Sequence, residues 1–265
     1  MNLQNSTVLI TGGTSGLGLE LVKQLTATGA TIIVTGRNLS ALNQAKKLYP
    51  QIATFQSDVS NPDDIEQLYA MVTQQFPQLN LIINNAGLMR LIDLQDALSD
   101  IEDVTREIST NLTGTIQMVH KFLPHLAKQN EAGIVNVSSA IAYMPYSVAP
   151  IYSASKAGVH AYTQALRLQL QDTNIRVFEM IPPGVNTNLQ NDWAVKPNPR
   201  MMMDADKMVA TALKALRNNK PELKPFAVSI IKLVSRLLPG MLIKFGHREF
   251  KNFKATQYQS LKPQQ

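Results

Sequence analysis

Six short apolar runs punctuate the first 180 residues: STVLIT (6–11), TIIVT (31–35), IATFQ (52–56), LNLIIN (79–84), GIVNVS (133–138) and IRVFEMI (175–181). They are rich in β-branched residues and lack polar alternation, the pattern of strands covered on both faces. Between them the spacing predicts helices around 17–28, 39–48, 61–76, 101–128 and 153–172. The stretch NPDD at 61–64 marks a helix start. Asn61 can cap, Pro62 suits the first turn, and the acids face the positive end of the helix dipole. Strand–helix alternation predicts an α/β architecture, a doubly wound parallel sheet with helices on both faces. After residue 185 the pattern loosens into NTNLQNDWAVKPNPRMMMD, a polar loop with prolines. A helix is predicted at about 204–218, and a basic tail follows.

At 265 residues the chain can bury one large core, so it is read as a single domain over 1–265. Within it, 186–220 is read as a loop and helix and 226–265 as a basic C-terminal extension. The absence of cysteine excludes disulfides, thiolate nucleophiles and Cys-based metal sites. The start, MNLQNSTVLITGG, has no basic n-region and no small-residue cleavage site, so no signal peptide and a cytoplasmic location are expected. The net charge of +6 is unevenly spread. Residues 1–195 hold 11 Lys/Arg against 15 Asp/Glu, whereas 196–265 hold 14 against 4.

The first strand runs into TGGTSGLG (11–18), which opens the first helix. Gly12, Gly16 and Gly18 permit a tight turn and let backbone N–H groups approach an anion at the helix N-terminus. The spacing G-x-x-x-G-x-G differs from the general dinucleotide fingerprint, and glycine-rich turns also arise for steric reasons. In this strand–helix setting a pyrophosphate site is the preferred reading. An NAD site usually carries an acid after the second strand to hold the ribose 2′-hydroxyl. Here that strand ends VTGRN, where Gly36 leaves room and Arg37 offers a guanidinium for a 2′-phosphate. NADP(H) is therefore expected over NAD(H).

IYSASKAG (151–158) places Tyr152 and Lys156 one helical turn apart on one face. A free tyrosine, with a pKa near 10, is about 0.1% ionised at pH 7, and bringing that pKa to 7 needs about 4 kcal/mol. One ammonium about 4 Å away at an effective dielectric near 20 supplies about that much. The pair can thus make a proton donor and acceptor at neutral pH. Alone, Y-x-x-x-K favours a solvent-facing pair on an ordinary helix, because both residue types are common. It is accompanied by Ser139 at the end of NVSSA, by INNAG (83–87) and QSDVS (56–60) at two other strand ends, and by Asn111 inside a helical segment. A serine at a strand's C-terminal end sits where open α/β sheets bind ligands. An amide suits a helix interior only if it bonds something.

In this order the motifs resemble the short-chain dehydrogenase/reductase family, in its compact single-domain branch with a Rossmann-type sheet. They are T-G-x-x-x-G-x-G at 11–18, Asp58–Val59, N-N-A-G at 84–87, Asn111, Ser139, Y-x-x-x-K at 152–156 and PPGVNT at 182–187. More narrowly, ITGGTSGLG, VTGRN and KPELKP resemble bacterial reductase-like proteins encoded beside lipoteichoic acid D-alanylation genes. The family resemblance implies that Tyr152 is the general acid/base, while Lys156 lowers its pKa and holds the nicotinamide ribose. It implies that Ser139 orients the substrate oxygen and that Asn111 holds a water relaying protons to Lys156. Gly12, Thr14, Ser15, Gly16, Leu17 and Gly18 would line the phosphate and ribose site. Asp58 and Val59 would flank the adenine, Asn85, Ala86 and Gly87 its ribose, and Val185 and Thr187 the carboxamide.

The function so implied is an NADP(H)-dependent oxidoreductase acting on a small carbonyl or secondary alcohol, in a homodimer or homotetramer. The alternative is an NADP(H)-binding redox sensor without turnover; epimerase or dehydratase chemistry fits the chain length and glycine spacing poorly. The resemblance also implies that 186–220 covers the substrate site, where Trp193 and Met201–Met203 either line an apolar pocket or pack in the core or a dimer interface; Met89, Arg90, Met144 and Tyr146 are further candidates to face the pocket. The four histidines show no metal spacing and are read as ordinary helix or surface residues, so no metal is expected. AVSIIKLVSRLLPGMLIKF (227–245) is apolar and basic, with Pro239 interrupting it, a poor membrane span. It is read as a helix that covers the pocket or packs on a partner subunit, in preference to a peripheral contact with anionic lipid. No nucleic-acid-binding module is recognised.

Overall fold

A computed structural model describes residues 1–95, 100–187, 189 and 202–260. The six apolar runs form parallel strands β1 (Thr7–Thr11), β2 (Thr31–Gly36), β3 (Ala53–Gln56), β4 (Leu79–Asn84), β5 (Ala132–Val137) and β6 (Ile175–Met180). Two short strands, β7 (Val185–Asn186) and β8 (Met203–Asp204), pair with each other, and β9 (Glu222–Leu223) adds a seventh strand to the main sheet. The order is β3-β2-β1-β4-β5-β6-β9, all parallel. The chain winds outward from β1 to β3, crosses back, and continues from β4. This reversal beside β1 opens a crevice at the strands' C-terminal ends.

The strands are apolar throughout because both faces are covered. Val8 and Ile10 pack with α1 (Gly16–Thr26), α2 (Leu39–Leu48) and α7 (Ala205–Arg217), through residues such as Leu21, Leu42 and Leu213. Leu9 packs on the other face with α3 (Pro62–Gln75), α5 (Gly114–Leu126) and α6 (Pro150–Gln169), through Leu68, Phe122 and Leu166. The start of α3 follows its chemistry: Asn61 Oδ1 accepts from Asp63 N at 3.0 Å, Pro62 occupies the first turn, and Asp63 and Asp64 follow.

Three differences from the sequence pattern bear on the site. The segment 101–128 is not one helix; it breaks into α4 (Ile101–Val104), a π-helical turn (Ile108–Thr113) and α5. α6 begins at Pro150, three residues before the predicted 153, because proline's fixed φ and missing N–H suit the first helical position. The chain ends in α8 (Phe226–Leu237) and α9 (Pro239–Ser260), with Pro239 opening the second helix. Trp193 and Met201 lie outside the described residues.

Candidate active site

The glycine loop leaves β1 and enters α1 at the crevice. Gly12 and Gly16 have φ of +65° and +52°, the left-handed region that side chains disfavour. A Cβ on Gly12 would lie 2.9 Å from Ala86 Cα, and one on Gly16 would lie 3.3 Å from Thr187 Cβ. The loop therefore sits against the NNAG turn after β4 on one side and against Thr187 on the other. Thr11 ties this together, its Oγ1 accepting from Asn85 N at 3.0 Å and Ala86 N at 2.9 Å. Asn85 Nδ2 donates to Thr11 O at 3.0 Å and Gly12 O at 3.1 Å, so its amide braces the loop. Ser15 stands at the α1 N-cap without a side-chain capping bond, and no acid occupies the first turn. Leu17 packs on the core, and Thr14 lies beside Gly36.

Gly18 carries the tightest constraint. A Cβ there would fall 2.1 Å from Gly12 O and 2.6 Å from Asn85 Nδ2. Gly18→Ala should destabilise the fold by about 3 kcal/mol, at the upper end of ordinary overpacking, as read by urea unfolding.

A surface cleft of about 470 Å³ lies at the ends of β2 and β3, lined by Arg37, Gln56, Asp58, Asp64 and Gln67. Arg37 is the one cation of that lining. Its guanidinium is 3.6 Å from Asp58 Oδ2, and more than half of its side chain is exposed. Gln56 Nε2 donates to Arg37 O at 2.9 Å, fixing the backbone of this corner. Asp58 also accepts from Ser60, and Asp64 accepts from Asp58 N. Val59 is buried against Gly114, where a Cβ would reach 2.6 Å from Val59 O.

At the ends of β4 and β5 the structure brings Asn111, Ser139, Tyr152 and Lys156 together, all buried. Ser139 follows β5 and caps a short 3₁₀ turn, Ala140–Ala142, accepting from Ile141 N at 3.3 Å. The Tyr152 phenol lies beside Ser139 and packs with Met89, Ala149 and Tyr146. Burial pushes the phenol's pKa up to about 12, with Ser139 opposing the shift. The i, i+4 lysine does not offset that burial. Lys156 Nζ sits 5.7 Å from the Tyr152 ring centroid and donates to Val137 O at 2.8 Å. Its own pKa is lowered by burial to about 8. A shared helix face brings the Cβ atoms close, but the long lysine stem carries its charge to the end of β5.

Asn111 shows why the long helix breaks. The π turn inserts an extra residue and turns the amide inward. Its Nδ2 donates to Leu88 O at 3.0 Å and Ser155 Oγ at 2.9 Å, and its Oδ1 accepts from Leu88 N at 2.9 Å. The amide thus clamps the loop after β4 to α6. A Cβ on Gly87 would lie 3.2 Å from Asn111 Oδ1 and 3.5 Å from Lys156 Nζ. Glycine there keeps the approach to both groups open. Val185 is buried in the core at β7, and Thr187 faces Gly16.

Two buried carboxylates were not singled out from the sequence. Glu107, fully buried, accepts from Arg90 N at 3.0 Å and Arg90 Nε at 3.1 Å, and Asp103 takes another guanidinium nitrogen. Arg90 is therefore committed to the π turn rather than free to face a substrate. Glu179, also fully buried, accepts from Ser138 Oγ at 2.5 Å and lies 2.8 Å from His160 Nδ1. His160, read as an ordinary residue, is the partner of a carboxylate behind Ser139. The signal was Glu179 at a buried position of IRVFEMI, whose other charged residue, Arg176, is exposed; an acid in a buried strand requires a partner.

The sequence profile of the family described as short chain dehydrogenase matches residues 6–198. The chain belongs to the short-chain dehydrogenase/reductase family and is an oxidoreductase of that type. A relative named "Uncharacterized oxidoreductase DltE", from Bacillus subtilis, is 42% identical over 189 residues, covering 71% of this chain and 75% of the relative. That likeness agrees with the narrower resemblance drawn from the motifs. Among solved structures, a short chain dehydrogenase from Burkholderia cenocepacia in complex with NADP superposes with a TM-score of 0.79 at 25% identity, over 94% of this chain and 98% of the other. One from Burkholderia phymatum in complex with NAD superposes at 0.77 with 20% identity, over 88% and 94%, and shares the fold.

Proposed function

We propose that the protein is an NADP(H)-dependent oxidoreductase that interconverts a carbonyl and a secondary alcohol, with Tyr152 as the general acid/base. The observation that carries this reading is the convergence of Ser139, Tyr152, Lys156 and Asn111 on one buried point beside Gly87. The cradle formed by Gly12, Gly16 and Thr187 fits a dinucleotide, since a side chain on either glycine would strain the loop or crowd its neighbour. When bound, the nicotinamide supplies or accepts a hydride. In the reducing direction Tyr152 Oη donates a proton to the carbonyl oxygen, while Ser139 Oγ holds that oxygen by a hydrogen bond. With a pKa of about 12 the phenol is protonated throughout the neutral range, the state that reduction needs. In the oxidising direction Tyr152 must take the alcohol proton, which requires additional positive charge nearby. On this reading Lys156 holds the ribose hydroxyls and returns a proton toward Tyr152, while Asn111 holds the loop after β4 against α6.

The preference for NADP(H) rests on Arg37, the single cation in its cleft. A charge-assisted bond to a 2′-phosphate contributes about 1.5–3 kcal/mol, so Arg37→Ala should weaken NADPH binding about 10- to 100-fold. NADH binding should stay unchanged. Fluorescence titration of both nucleotides against both proteins reads the result. Equal NADPH affinity with and without Arg37 would remove the basis for the preference. Binding of neither nucleotide by folded protein would overturn the reading as a whole.

A further inference from the structure

Helix α8 turns an apolar stripe outward. Phe226, Ile230, Leu233 and Leu237 recur at steps of four, three and four, and so share one face. Their relative exposures are 80%, 49%, 57% and 69%. The other side of the helix, at Val228 and Ile231, packs on Ala140 and Ile181. Leu238, then Met241 and Phe245 on one face of α9 and Ile243 on another, are each about half exposed. These eight residues are half of the sixteen exposed large hydrophobics among the described residues, gathered at one corner.

The same corner is basic. Residues 226–260 carry six Lys/Arg against one acid. Lys232 and Lys254 pair with Glu222 and Asp93. Arg236, Lys244, Arg248 and Lys251 are exposed and make no ion pair among the described residues. The corner is firmly mounted. Gly246 lies against Pro145, where a Cβ would come within 2.4 Å of the carbonyl oxygen, and Phe253 is buried. Tyr146, next to that contact, packs with Tyr152.

Among the described residues no single helix is long and apolar enough to cross a membrane. The α8–α9 pair is bent by 117°, and the 12 residues of α8 rise only about 18 Å against a hydrocarbon core of about 30 Å. A bent pair with one apolar face and a cationic rim suits the plane of a bilayer surface. A two-fold contact with a second copy through this corner would bring the four unpaired cations of each copy together. An anionic surface neutralises them.

We propose that the α8–α9 corner docks the protein on an anionic lipid bilayer. The α8 stripe with Leu238 and Met241 enters the headgroup–acyl boundary, and Arg236, Lys244, Arg248 and Lys251 meet lipid phosphates. This does not depend on the hydride-transfer reading. The test is co-sedimentation of the full chain with vesicles of pure phosphatidylcholine and of phosphatidylcholine mixed with phosphatidylglycerol. The chain should bind the mixed vesicles, fail to bind the pure ones, and be released by salt. Leu233→Glu with Leu237→Glu should abolish binding without lowering the melting temperature, since both side chains are exposed. Lys244→Gln with Arg248→Gln and Lys251→Gln should do the same by removing charge alone. No binding to the mixed vesicles, or binding indifferent to both sets of substitutions, would overturn the proposal. So would self-association, without vesicle binding, that the Leu233→Glu, Leu237→Glu variant abolishes; the corner would then be an interface between copies.

Discussion

Tyr152→Phe should lower turnover of a carbonyl substrate about 10²- to 10⁴-fold, the usual contribution of a positioned acid. NADPH binding should be unchanged. The substitution deletes one oxygen and keeps the ring that packs with Met89, Ala149 and Tyr146. Ser139 still accepts from Ile141 N, so the stability change should stay near 1 kcal/mol. The test pairs a melting curve with initial rates under saturating NADPH. A variant with the parent's rate would mean that the proton comes from elsewhere, and the proposed mechanism would fall. Ser139→Ala should show a smaller loss, because it removes a hydrogen bond to the reacting oxygen and leaves the proton in place.

The architecture was legible because strands buried on both faces must be apolar throughout and crossover helices must be periodic. Val8, Leu9 and Ile10 illustrate this: successive residues enter opposite cores, so no polar residue can alternate with them. The glycine loop was legible because Gly12 and Gly16 need left-handed backbone that other residues resist. Less legible was anything set by a few long-range contacts. Strand β9 is two residues long and exists only because β6 offers it an edge. The π turn at Ile108–Thr113 has no propensity of its own; it follows from the bonds Asn111 makes to Leu88 and Ser155. Spacing placed Tyr152 and Lys156 on one face, but could not show that the ammonium would reach back to Val137 O. Nor could periodicity distinguish a helix that covers a pocket from one whose stripe faces outward, since both are amphipathic.

Lys156 also sets up the sharpest conflict between stability and function. It is almost fully buried, and among the described residues its one hydrogen-bond partner is a neutral carbonyl. Burial lowers its pKa from 10.5 to about 8. Below pH 8 it is charged in both folded and unfolded chains, and the whole desolvation penalty weighs on the fold. Between pH 8 and 10.5 the unfolded chain holds the proton and the folded chain releases it, so stability rises with pH there. The gap corresponds to about 3 kcal/mol. Lys156→Met keeps the stem and removes the charge, at the loss of about 1–3 kcal/mol for an unbonded Val137 carbonyl. The variant should therefore be as stable as the parent at pH 7 or more so, with a gain of about 1 kcal/mol raising the melting point by about 2–4 °C. It should also lack the parent's rise in stability above pH 8, while turnover is lost. Melting curves of both proteins at pH 7 and at pH 10, alongside rates at pH 7, read all three effects. A large drop in stability at pH 7 would mean that Val137 and the surrounding dipoles hold the ammonium without penalty. The expected pattern would mean that the fold maintains an uncomfortable charge at the point where catalysis needs one.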